Sequence, residues 1–261
     1  MKQLNLFDKI SYFILKLFLG VILIAPYFVI RGICSFIYSA GRPFAGKDLR
    51  ILQKNLDEVL NLPQNSHFAT MFEKQVFKNQ IICMIESFIA TQKPSRIKTQ
   101  GYENLEQIVK KHEAAGKGQI IVTAHIGSWE QFANFVSNAL ATPFLILAKP
   151  SKNMGVTKFL DDVRSDMDVK ILWTGKSSII KDMFKNLRAN GALGFVMDQK
   201  PEGRKGPKVK FFERDTYFVS GPAAMSMKTD CGVIGVYVVR EGPFSYRIVS
   251  EEIFPPGHGI K

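Results

Sequence analysis

The chain has 261 residues, 46% of them hydrophobic and 22% charged, with 35 Lys and Arg against 23 Asp and Glu for a net charge of +12. With a mean hydropathy of +0.01, this composition excludes a disordered tail, a collagen-like fibre and a polytopic membrane protein, and the length fits one α/β domain with an appendage. Three cysteines, Cys34, Cys83 and Cys231, are odd in number and far apart, which argues against a disulfide framework or a CxxC zinc site and for a reducing compartment.

Between Ile10 and Ala40 the only charges are Lys16 and Arg31. A helix needs roughly 20 residues to cross the hydrocarbon core, and Ile10 to Val29 supplies them, with one lysine that can snorkel. The stretch reads as a membrane anchor. A buried hydrophobic helix, an interfacial helix broken at Pro26 and a secretory signal are the alternatives, the last disfavoured because GRPFAG is a poor cleavage site. Arg42, Lys47, Arg50 and Lys54 follow the run while Lys2 and Lys9 precede it, so the positive-inside bias places the main body in the cytoplasm. Residues 1–40 are thus expected to form a transmembrane or interfacial anchor, and residues 41–261 an α/β domain.

Apolar residues recur at helical spacing over Arg50–Leu60 and Phe68–Ala90. Short β-branched runs then alternate with amphipathic stretches. Gln119–Ala124, Thr142–Ala148, Val169–Trp173, Ala192–Met197 and Gly232–Val239 read as strands. Trp129–Leu140, Met154–Asp166, Ser177–Ala189 and Pro222–Thr229 read as helices, the last opened by Ser220 and Pro222. Alternation of this kind predicts a central, mostly parallel sheet flanked by helices, with the N-terminal anchor helix outside it.

The strand QIIVTA runs directly into His125-Ile126-Gly127-Ser128-Trp129-Glu130, which places an imidazole at the carboxyl end of a buried strand, where open α/β sheets keep their sites. On a regular helix, side chains five residues apart would point about 140° away from each other. A sharp turn at Gly127, with a helix starting near Ser128 or Trp129, would bring Glu130 beneath the ring. There the carboxylate could fix the tautomer and leave the other nitrogen free to take a proton from an alcohol. The alternative is a capping histidine and an incidental first-turn glutamate.

The segment HIGSWE resembles the H-x4-D/E motif, usually HFGNWE, of the bacterial lipid A biosynthesis acyltransferases, the late lauroyl and myristoyl transferases of the lysophospholipid acyltransferase superfamily. Other segments resemble that family in the right order: Arg50, Asn55-Leu56, Leu62-Pro63, Glu86, Gly101-Tyr102-Glu103-Asn104-Leu105, Arg164, Asp198-Gln199, Gly206, Val209 to Phe212 and Gly221 to Ala224. Two features depart from it: Glu213 stands where Gly is common, and the Trp, Arg and Pro-rich C-terminal helix is lacking after Phe254.

The resemblance implies transfer of a fatty acyl group from acyl-carrier protein or acyl-CoA, as co-substrate, to a glycolipid hydroxyl at the bacterial inner membrane, with no other cofactor. In this reading His125 is the base and Glu130 its orienting partner. Backbone amides around Gly127, Ser128 and Trp129 would serve the collapsing intermediate. Arg164 is the candidate for an anionic group, and Asp198 and Gln199 end a strand at the same sheet edge. The loop of Lys200, Arg204, Lys205, Lys208, Lys210 and Arg214 would attract phosphorylated headgroups, an anionic membrane surface or an acidic carrier protein. A phospholipid or other glycolipid acceptor and a catalytically inactive homologue are the alternatives. No G-x-S-x-G elbow is present, so no acyl-enzyme is expected. His67, His112 and His258 are dispersed, with no HExxH, so no metal site is expected, and the cations are not interleaved with aromatics as a nucleic-acid module would require.

Overall fold

The computed structural model describes residues 4–165, 169–174, 178–199, 201, 203 and 206–260. Asn5 opens the first helix with a capping box, its side chain accepting from the Asp8 amide while the Asp8 carboxylate accepts from the Asn5 amide. That helix, α1 (Leu6–Ile24), stops short of Pro26, which has no amide to give and disfavours the helical conformation of the residue before it. Ala25 is extended, and α2 (Tyr27–Gly41) starts afresh. Arg96 donates to the carbonyls of Leu23 and Ala25 at 3.2 and 3.4 Å, occupying acceptors that the break leaves open.

The expected single span over residues 10–29 is therefore not formed. The 15 residues of α2 extend only about 22 Å, and α1 carries Asp8, Lys9 and Lys16. Among the described residues no helix is long and apolar enough to cross a membrane. The break at Pro26, one of the alternatives left open by the sequence, is what forms.

The polar side of α1 is used for docking. Asp8 accepts from the Met154 amide at 3.0 Å, Ser11 accepts from Asn153 at 2.8 Å, and Tyr12 donates to Asp162, all at or on α7 (Met154–Arg164). Its apolar interior residues, Leu19 and Ile22, join Ile30 and Cys34 of α2, Phe159 and Val163 of α7, and Ile82, Ile85, Phe88 and Ile89 of α4 (His67–Gln92) in one buried cluster. Between α2 and α4 runs α3 (Gly46–Leu60), closed by Asn61 in the left-handed conformation.

The remaining chain builds a seven-stranded sheet. Its strands are β1 (Lys98–Gln100), β2 (Gln119–Thr123), β3 (Phe144–Ala148), β4 (Val169–Trp173), β5 (Ala192–Val196), β8 (Gly232–Gly242) and β9 (Ser245–Phe254), in the order β1-β9-β8-β2-β5-β3-β4. From β8 to β4 all neighbours are parallel; β9 returns antiparallel to β8, with β1 parallel to β9 outside it. A separate hairpin, β6 (Lys208–Phe211) and β7 (Arg214–Tyr217), follows β5. The mixed α/β fold with a mostly parallel sheet is thus as the alternation predicts.

Both faces of the sheet are covered, which is why β2 reads as an unbroken apolar run. Ile121 faces α5 (Tyr102–Ala114) and α6 (Trp129–Ala139) through Leu105, Val109, Phe132 and Val136. Ile120 and Val122 face α8 (Ile179–Arg188) and α9 (Gly221–Thr229) through Met183, Leu187 and Met225. The helical block is tied to this sheet by one buried charge: Glu86 of α4, with no exposed surface, receives the Arg240 guanidinium at 2.9 and 3.0 Å and the Tyr246 hydroxyl. An unpaired carboxylate there would be costly; two guanidinium N–H groups, the Tyr246 hydroxyl and, at 3.4 Å, the Phe244 amide satisfy it. Burial and the adjacent carboxylate push the Tyr246 phenol up, while Arg240, whose burial opposes its charge, is held more firmly protonated by Glu86.

Candidate active site

The site is assembled at the carboxyl edge of β2 and β5. These strands run parallel with Thr123 opposite Val196, so His125 and Asp198, each two residues further on, leave the edge side by side. The result is a hydrogen bond of 2.8 Å between His125 Nδ1 and Asp198 Oδ1, with both side chains about one-third exposed, at 34% and 37%. With the carboxylate accepting, the proton sits on Nδ1, and Nε2 is left without a hydrogen-bond partner among the described residues. The Trp129 ring meets the imidazole edge-on at 5.2 Å between centroids.

The turn expected at Gly127 is present. Its φ is +59°, and it bridges to Val238 of β8 so closely that a Cβ added there would lie 2.0 Å from the Val238 carbonyl oxygen. Next to it, the Ser128 amide donates to that same carbonyl at 2.9 Å, and its hydroxyl lies 2.6 Å from that of Ser87, both residues being buried. The Ser128 amide is thereby committed to the sheet and does not face a reacting group, contrary to the expectation for it. The Ser87 and Ser128 pair carried no sequence signal of its own.

Helix α6 begins at Trp129 as anticipated, but Glu130 does not meet the imidazole. Its carboxylate is held by Arg164 of α7, with Nε at 3.2 Å and Nη2 at 2.7 and 2.8 Å from the two oxygens. The correction has a simple cause. Asp198 reaches the ring from the neighbouring strand at equal height, whereas Glu130, in the first turn of α6, is turned toward α7, where a guanidinium offers two donors. Arg164 and Glu130 are 15% and 17% exposed, so the pair is shielded from screening by solvent.

These groups surround one cavity of about 330 Å³, at the small end of the range of ligand pockets. His125, Trp129, Glu130, Lys149, Arg164 and Gln199 give it polar lining; Phe132 and Ala133 of α6, Ile146 of β3, Val169 and Ile171 of β4 and Phe195 of β5 give it apolar walls. Such a lining suits an apolar chain whose polar end is held at the imidazole. Gly127 and Ser128 support the turn from behind. Lys200 and Arg204 lie outside the described residues, as does Lys205. Of the other loop cations, Lys208 is paired with Asp215 at 2.7 Å and Arg214 with Glu58 at 3.2 Å.

The three thiols are all buried, and burial pushes Cys34 up to about 11 and Cys83 up to about 12, and raises Cys231. None is a ready thiolate nucleophile. Among the described residues no group of three His, Cys, Asp or Glu side chains is placed to hold a metal ion.

An open parallel sheet with a histidine and a carboxylate bonded across its carboxyl edge, above an apolar cavity, has the frame of an α/β enzyme. The chain matches the family model for bacterial lipid A biosynthesis acyltransferases over residues 1–251 and belongs to that family. The family is an acyltransferase family that works with acyl donors. No curated protein is similar enough to the chain to count as a match.

Proposed function

We propose that the protein moves a fatty acyl group from a thioester, carried on acyl-carrier protein or CoA, to a hydroxyl of a glycolipid of the lipid A precursor type. The observation that carries this reading is His125, bonded through Nδ1 to Asp198 and opening with Nε2 unpartnered on an apolar-walled cavity, in a chain of that family. Nε2 takes the proton of the acceptor hydroxyl as the oxygen attacks the thioester carbonyl. The tetrahedral intermediate collapses, the carbon–sulfur bond breaks, and the imidazolium returns its proton to the leaving thiolate. Asp198 fixes the tautomer and stabilises the imidazolium. Glu130 positions Arg164, whose Nη1 has no partner among the described residues and is available to an oxyanion or a phosphate. No acyl-enzyme is required, in keeping with the buried thiols.

Association with the membrane surface through α1 fits the same reading. Phe7, Phe13, Leu17 and Ile24 are exposed on it while its polar residues dock on α7, which suits a helix lying in the interface rather than crossing it. With the net charge of +12, this supports a seat on the anionic inner face of a bacterial inner membrane, with the catalytic domain in the cytoplasm. The test is mass spectrometry of cellular glycolipids with the wild-type chain and with His125→Ala. A glycolipid heavier by one fatty acyl ester, lost in the variant, supports the proposal. The same mass shift on phospholipids alone would reassign the acceptor, and shifts unchanged by His125→Ala would refute the assignment of the base.

A further inference from the structure

A second concavity, of about 640 Å³, lies between α2 and α4 and shares no lining residue with the catalytic cavity. Four cations line it: Arg31 from α2, Lys74 and Lys78 from α4, and Arg240 from β8; among the described residues no Asp or Glu does. Some cations elsewhere are neutralised, as Lys111 is by Glu252, Lys117 by Asp230, Arg42 by Glu73 and Arg247 by Glu241. Among the described residues, Arg240 alone of the groove's cations is ion-paired, with Glu86 behind it. Lys78 donates to the Ser35 hydroxyl at 2.8 Å and lies 5.9 Å from the Tyr38 ring centroid, while Arg31 and Lys74 have no hydrogen-bond or ionic partner among the described residues.

Gathering like charges in a concave, partly desolvated place is unfavourable unless an anion occupies it. The same two helices say what kind of anion. Tyr27, Met71 and Ile82 line the groove beside the cations, and the helices that form it also expose Phe28 and Phe36 on α2 and Phe68 and Phe72 on α4, so the element that offers positive charge to a headgroup also offers apolar surface to attached chains. We infer that this groove binds the phosphate-bearing headgroup of an anionic lipid, at a site separate from the catalytic cavity. The inference does not rest on the acyl-transfer reading, because none of its residues belongs to the catalytic constellation.

The test is binding of the full chain to vesicles of phosphatidylcholine, alone and mixed with phosphatidic acid, comparing wild type with the double variant Arg31→Gln/Lys74→Gln. Both side chains are exposed and unpartnered, so the fold is expected to survive, as an unchanged Tm would verify. A second double variant, Lys181→Gln/Lys228→Gln, removes two exposed charges on α8 and α9. At about 1 kcal/mol per cation near a charged membrane, the groove variant loses about 30-fold in affinity for the phosphatidic acid vesicles and the control keeps wild-type affinity. Equal losses in the two variants would show a general charge effect and overturn the inference. So would a groove variant that binds the vesicles normally and loses only inorganic phosphate or an oligonucleotide, since the occupant would then not be a lipid.

Discussion

Replacing Asp198 with Asn keeps the shape of the pair and removes the charge that holds the imidazole. The bond is short, 2.8 Å, and charge-assisted, and such bonds contribute about 1.5–3 kcal/mol. Because both side chains are about one-third exposed, at 34% and 37%, water replaces part of what is lost and the lower half of that range applies. A loss of about 1.5–2 kcal/mol from the transition state corresponds to a fall of roughly 10- to 30-fold in kcat. It falls on kcat rather than KM, since Asp198 acts on the charge that develops on the ring and not on the docked chain. The assay is acyl transfer from a long-chain acyl thioester to a hydroxylated glycolipid at saturating concentrations, for Asp198→Asn, His125→Ala and the double variant. If Asp198 works through His125, the double variant is no slower than His125→Ala alone. A kcat for Asp198→Asn within about twofold of wild type, or effects that multiply in the double variant, would refute the reasoning.

Other consequences are independent of the chemistry. Gly127→Ala places a Cβ against the Val238 carbonyl at a residue whose φ is +59°, so thermal unfolding should show a destabilisation of about 1–3 kcal/mol or more, with activity falling as the motif turn shifts. Glu86→Gln leaves the partly buried Arg240 guanidinium with no carboxylate; breaking a fully buried pair costs about 3–5 kcal/mol, and with Arg240 partly open to the groove a smaller loss, seen as a lower midpoint in denaturant unfolding, is expected. Burial holds the His112 imidazole below its ordinary value, partly offset by Glu252 at 2.7 Å. The unfolded chain then binds the proton more readily, so this stabilisation is complete above the unfolded value of 6.5 and is lost as pH falls through the lower folded one. Wild type should therefore lose more stability than His112→Gln between neutral pH and pH 5, by paired denaturation curves, and parallel losses would contradict this.

The inner strands of the parallel sheet were legible because they are short apolar runs set between amphipathic stretches, as in the fully buried β2; Val169–Trp173, at the edge and only partly buried, still has the bounds expected of it. Strand β9, next to the edge strand β1, was not, since Ser245–Phe254 carries Arg247, Glu251 and Glu252 among its apolar residues and lacks such a run. At the N-terminus, hydropathy over residues 10–29 outweighed Pro26, although the local chemistry of a missing amide decides the outcome. At the site, the turn at Gly127 and the start of α6 follow from local sequence, and Asp198 was already placed at the correct sheet edge. The choice between Asp198 and Glu130 as the partner of the imidazole was not available, because it depends on the register of β2 against β5 and on where α7 carries Arg164, both of them long-range.

In the proposed reaction Nε2 of His125 accepts the acceptor's proton during ester formation. The most direct measurement of this step is the single-turnover rate of ester formation by the full chain and by His125→Ala, with the same acyl thioester and glycolipid. Loss of the base predicts a rate lower by about 10²- to 10⁴-fold with binding of the thioester unchanged; ester formed at the wild-type rate would contradict the account.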